Sequence, residues 1–105
     1  MPLPSLTPEQ RRQALEKAAV ARKKRAVVKQ ELKKGSLSLR DVLNRAGGDD
    51  ILGKMRVSAV LESMPGVGKV RARKIMERLD ISSSRRVRGL GSKQREALLE
   101  EFSRR

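Results

Sequence analysis

The segment Met64-Pro65-Gly66-Val67-Gly68-Lys69-Val70-Arg71-Ala72-Arg73-Lys74-Ile75-Met76 limits this chain more tightly than any other feature. A Pro-Gly-x-Gly turn between two apolar, helix-patterned stretches makes a helical hairpin. It also opens the second helix with bare backbone amides. Glycine lets a backbone approach an anion closely, and a helix start aims N–H groups and positive dipole at it. Lys69, Arg71, Arg73 and Lys74 crowd the first turns of that helix. A tight turn alone would account for the glycines. Like charges at i,i+4, however, destabilise a helix unless an anion offsets them. The segment from Met64 to Arg71, with Arg73, therefore reads as a phosphate-binding hairpin.

The charge balance points the same way. The 105 residues carry 26 Lys+Arg against 12 Asp+Glu, a net charge of +14, so nucleic acid or an anionic surface is the expected partner. The charge lies in two blocks: residues 1–35 sum to +7 and residues 54–95 to +9, with a near-neutral spacer between them. The chain lacks Cys and His, which removes disulfides, zinc fingers and Cys- or His-based catalysis. No metal or other cofactor is expected. Phe102 is the sole aromatic residue, so bases have no stacking platform and the duplex, held by its backbone, is favoured. No membrane span or leader is visible, and a cytoplasmic setting is expected.

The pattern is all-helical and of one-domain size: a basic N-terminal helix over residues 1–35 and a compact helical part over 36–105. Thr7-Pro8-Glu9-Gln10 starts a helix with a capping box, and Gly35 stops it after Lys34. Ala14, Ala18, Ala21, Val28 and Leu32 make a thin apolar seam, so the first half rests lightly on the domain or projects from it. Ser38-Leu39-Arg40-Asp41 repeats the box, and Gly47-Gly48 ends that helix. Asp49 or Asp50 caps a short turn that Gly53 breaks. Further helices follow over about 56–63, 69–79 (burying Val70, Ile75, Met76 and Leu79) and from a Ser92 cap onward.

A second functional candidate is the loop Ser82-Ser83-Ser84-Arg85-Arg86-Val87-Arg88-Gly89-Leu90-Gly91-Ser92-Lys93-Gln94. Val87 and Leu90 anchor it, while Arg85, Arg86 and Arg88 face out to follow a phosphate backbone or enter a minor groove. Weaker contact candidates are Lys54, Arg56 and Ser58, and the run Arg22-Lys23-Lys24-Arg25. The alanine-rich face of that N-terminal helix lacks the large apolar residues that would insert into a membrane.

With these residues in hand, the chain resembles the actinobacterial integration host factor family, nucleoid-associated proteins of mycobacteria and streptomycetes. The resemblance runs through Leu6-Thr7-Pro8-Glu9-Gln10-Arg11, Leu15-Glu16-Lys17-Ala18-Ala19, Leu52-Gly53-Lys54-Met55-Arg56-Val57-Ser58-Ala59, Pro65-Gly66-Val67-Gly68-Lys69-Val70 and Arg85-Arg86-Val87-Arg88-Gly89-Leu90-Gly91. It implies a long N-terminal helix on a helix-two-turns-helix module, with double-stranded DNA bound with little sequence preference through hairpin and a following lid. It further implies a monomer in the nucleoid that bends or compacts DNA and assists phage integrase recombination. An RNA-binding, ribosome-associated protein using the same module is the alternative. Catalysis is not expected. One class of DNA glycosylases attacks through an N-terminal proline followed by glutamate, but Leu3 follows Pro2 here.

Overall fold

The computed structural model describes residues 6–103; Pro2 and Leu3 lie outside them. Six α-helices follow in order: α1 Pro8–Lys34, α2 Leu39–Arg45, α3 Asp50–Lys54, α4 Val57–Ser63, α5 Lys69–Arg78 and α6 Ser92–Ser103. A 3-10 turn, Val87–Gly89, precedes α6. No strand occurs among the described residues, so the fold is all-α as expected.

Local chemistry sets the first three helix starts. The Thr7 hydroxyl accepts from the Gln10 N–H while the Gln10 side chain accepts from the Thr7 N–H, a complete capping box. Ser38 and Asp41 repeat the exchange on α2. Asp49 caps α3 by accepting from the Ile51 and Leu52 amides. Gly35, at φ 81°, ends α1 in the left-handed conformation that glycine adopts without strain. The Asp41 carboxyl sits below its usual range because the Ser38 backbone N–H donates to it, reinforced by the Ser38 side chain and by the positive charge of Arg45.

Three expectations are corrected here. Gly53 does not break the turn; it lies inside α3 and is buried. A Cβ there would stand 2.7 Å from the Ala46 carbonyl oxygen, so glycine is what lets α2 and α3 approach. Ser92 is the first residue of α6 rather than its cap: the Gln94 side chain accepts from the Gly91 N–H, and the Arg95 N–H donates to the Gly91 carbonyl. Val70 is 66 % exposed, not buried, and Ala72 takes the inward place beside Ile75 and Met76, with Leu79 only partly covered.

The core gathers where these helices meet. Val42, Leu61 and Leu98 are fully covered, with Leu32 and Val57 close behind. Leu32 sits in that core, and Val28 packs against it. Toward its N-terminus α1 loses this support. Residues 8–20 are exposed throughout, Leu15 and Val20 among them, so the first half of the helix projects from the body. At about 1.5 Å per residue the whole helix runs about 40 Å. No helix among the described residues is long and apolar enough to cross a membrane.

Candidate nucleic-acid interface

The α4–α5 hairpin turns on Gly66, whose φ of 75° demands glycine, and the Val67 N–H closes the turn on the Met64 carbonyl at 3.1 Å. Val67 is buried beneath it and anchors the turn in the core. Arg71 folds back to donate to the Gly66 carbonyl at 3.2 Å. Unlike α1, α2 and α3, helix α5 starts at Gly68 with no capping side chain. Its first-turn N–H groups therefore face solvent with Gly68, Lys69 and Val70 exposed around them. Cations and bare amides coincide at this one helix start.

The lid loop is tied down more firmly than a serine- and glycine-rich loop suggests. Arg86 and Arg56 face each other in an isolated antiparallel bridge. The Val57 N–H donates to the Arg85 carbonyl and the Val87 N–H to the Met55 carbonyl, both at 2.9 Å. Val87 is buried and Leu90 half-buried, while Arg85, Arg86 and Arg88 are exposed. Each arginine is aimed by an acceptor: Arg85 by the Gly89 carbonyl, Arg86 by the Lys54 carbonyl, Arg88 by the Asp50 carboxylate. The three serines divide. Ser82 and Ser84 bond to one another in a turn, while Ser83 lines a cleft of about 430 Å³ with Ser58, Lys69 and Arg73, beside Glu62 and Glu77. Gln94 is spent on structure, donating to the Asp80 carbonyl and capping at Gly91.

Two further clefts bring the remaining candidates together. One, of about 550 Å³, collects Lys17, Arg25, Lys29, Lys54, Arg56 and Arg86 from α1, α3, the α3–α4 link and the lid, against the single carboxylate of Asp50. The other, of about 630 Å³, places Lys29 and Lys33 beside the hairpin backbone from Met64 to Gly68, with Glu62 also on its wall. Lys29 belongs to both, so the lid groove and the hairpin cleft are continuous along α1. Sequence reasoning missed Lys17, Lys29 and Lys33. Their signal was available: with Arg25 they fall on one i,i+4 ridge, residues 17, 21, 25, 29 and 33, with Ala21 at the second place. The run Arg22-Lys23-Lys24-Arg25 does not act as a unit. Only Arg25 enters the groove; Lys23 and Lys24 border a separate apolar depression with Val20, Val27 and Ile51.

Residues 32–102 match the family model described as S13-like H2TH domain. The integration host factor of Streptomyces coelicolor is 63% identical over 102 residues, which cover 97% of this chain and 95% of that protein. The integration host factors of Mycolicibacterium smegmatis and Mycobacterium tuberculosis are each 58% identical, covering 97% of both chains. The chain belongs to the integration host factor family. A solved structure of sIHF bound to an 8-base-pair palindromic DNA superposes with a TM-score of 0.81 at 61% identity, covering 83% of this chain and 98% of that one. Within this family the hairpin and the lid of the present chain are thus set on an H2TH scaffold that includes the inner end of α1.

Proposed function

We propose that the protein is a non-catalytic architectural component of the nucleoid that binds double-stranded DNA through its phosphate backbone. The observation that carries this reading is the continuity of cationic surface from the uncapped start of α5, past Lys29 on α1, to Arg86 of the lid. The amides from Gly66 to Lys69 hold one phosphate, with Lys69, Arg71 and Arg73 nearby. Arg85, Arg86 and Arg88 hold a second stretch of backbone or enter a minor groove. The relative seen with DNA supports the choice of a duplex.

The α1 ridge suggests how the duplex is bent. From Lys17 to Lys33 it spans about 24 Å of helix axis. A duplex gripped both at the hairpin and along that ridge bends toward the protein to keep the two sets of phosphate contacts. Bending and compaction follow, and with them assistance to an integrase acting on the same DNA, the chain working as a monomer in the cytoplasm.

The test is binding to a random duplex of about 20–30 base pairs across a salt series, with structured RNA as competitor. If about six phosphates are neutralised, log K falls against log salt with a slope of roughly −5. A slope near zero removes backbone binding from the account. The S13-like character of the matched domain keeps one competing reading in view, a ribosome-associated RNA binder. Preference for the RNA would establish that reading instead. End-to-end energy transfer on the labelled duplex reports the bend.

A further inference from the structure

Asp50 is the one carboxylate lining the lid groove, and besides serving the first turn of its own helix it reaches out of that helix to the lid. Capping of α3 is done by Asp49, whose Oδ1 accepts from the Ile51 and Leu52 amides at 2.9 and 3.2 Å. The Asp50 side chain, 75% exposed, instead reaches Arg88 of the lid at 3.3 Å and Lys54 at 3.5 Å. Lys54 lines the groove, and Arg88 is an exposed cation of the lid beside it.

We propose that Asp50 is a built-in counter-anion. It pairs with Arg88 and Lys54 in the free protein and competes with DNA phosphate for them, which lowers affinity and softens the salt dependence. This rests on the duplex-binding reading above. Two features make the competition readable. First, Asp50 aims only the Arg88 head group: the stem lies over Gly53, with the Arg88 Cβ 3.4 Å from where a Cβ on residue 53 would stand. Second, both ion pairs are exposed, and exposed pairs are weak enough for a phosphate to displace. A cation already neutralised by the protein's own carboxylate releases fewer condensed counterions from the DNA when it binds.

The experiment compares wild type with Asp50→Asn on the random duplex between about 0.05 and 0.5 M salt. Freeing one further cation steepens the slope of log K by up to about 0.9, and the two lines meet near 1 M, so affinity at 0.1 M rises by up to about eightfold. Asp80→Asn makes the same change in net charge beyond the end of α5, at a position whose φ of 58° asparagine accepts, and shifts affinity by no more than about twofold. In an Arg88→Gln background the gain from Asp50→Asn shrinks, because one of its two cations has gone. Unchanged or weaker binding by Asp50→Asn, an equal gain from Asp80→Asn, or a gain undiminished by Arg88→Gln overturns the proposal. A wild-type slope near zero would instead defeat the duplex reading itself, so the two failures are distinct.

Discussion

Replacing Gly53 by alanine tests the local geometry that holds the lid in place. In an ordinary helix interior this change stabilises by about 0.5–1 kcal/mol, because alanine loses less backbone freedom on folding. Here the added Cβ would lie 2.7 Å from the Ala46 carbonyl oxygen, a backbone atom that cannot rotate away. Ordinary contact begins near 3.4 Å, so the end of α2 and the middle of α3 must separate by roughly 0.7 Å. That movement strains Ala46, whose N–H donates to the Val42 carbonyl at 3.0 Å, and loosens Leu43 and Leu52 in the core beside it. Overpacking of this kind costs about 1–3 kcal/mol. The strain outweighs the propensity gain, leaving a net loss of about 1–2 kcal/mol.

For a domain of this size that loss lowers Tm by about 5–15 °C, read by circular dichroism at 222 nm. Gly48→Ala is the control, since a Cβ there meets nothing within 4 Å and its backbone needs no positive φ. Its melt stays within a few degrees of wild type or rises. The Cβ at position 53 makes only ordinary contact with the stem of Arg88, so it is the shift of α3 beneath the lid turn that lowers duplex affinity, by roughly two- to tenfold below the melt. A Gly53→Ala protein that melts at or above the wild-type temperature would refute the close α2–α3 approach and the lid support derived from it.

Other substitutions probe separate links. Gly66→Ala meets no steric obstacle but must hold φ near 75°, so urea melts should show a loss of about 1 kcal/mol, with Gly66→Asn losing less; equal losses would mean the turn does not hold that angle. Leu61→Ala empties a site with no solvent exposure and should cost about 2–5 kcal/mol, measured by the same melts; a loss under 1 kcal/mol would place Leu61 outside the core. Asp41 has its folded pKa depressed, so its contribution to stability is complete above the unfolded aspartate range near about 3.9. It is lost as pH falls through the lower folded value. Melts from about pH 7 to pH 2 should therefore converge for wild type and Asp41→Asn at the acid end; parallel curves would deny the linkage. Arg85→Ala and Arg86→Ala should each weaken all duplexes alike and flatten the salt slope by about one unit, whereas a change confined to one base pair would mean direct base reading.

What the sequence made legible was local. Thr7 with Gln10, Ser38 with Asp41, and Asp49 each satisfy amides within a few residues, so composition at fixed offsets was enough to locate those helix starts. The misreadings at Gly53 and Val70 were decided by packing that residue type alone does not encode. Gly53 looks like a helix breaker until the Ala46 carbonyl of a different helix is set against it. Val70 fits an apolar helix position, yet it falls in the first turn of α5, which the hairpin holds outward; burial begins at Ala72. The bridge between Arg56 and Arg86 joins two segments some thirty residues apart with no strand pattern in either, its register set by the Val57 N–H on the Arg85 carbonyl and the Val87 N–H on the Met55 carbonyl.

The cations show the same division between order in sequence and order in space. A run such as Arg22-Lys23-Lys24-Arg25 looks like one basic patch, but successive helical residues turn by about 100°, so it disperses over three sides of α1. The cations that converge are spaced by fours, and they do so because α1 is pinned at only one end, by Leu32 and Val28, and lies across α3 and α4 from there. Repulsion along such a ridge costs a few tenths of a kcal/mol per pair, and Leu32 is the one buried residue of α1 to set against it. Stability alone would not favour this arrangement. A fold that keeps it, while leaving α5 uncapped beside it and placing a single carboxylate in the groove, has its charges arranged for a polyanion that is not part of the chain.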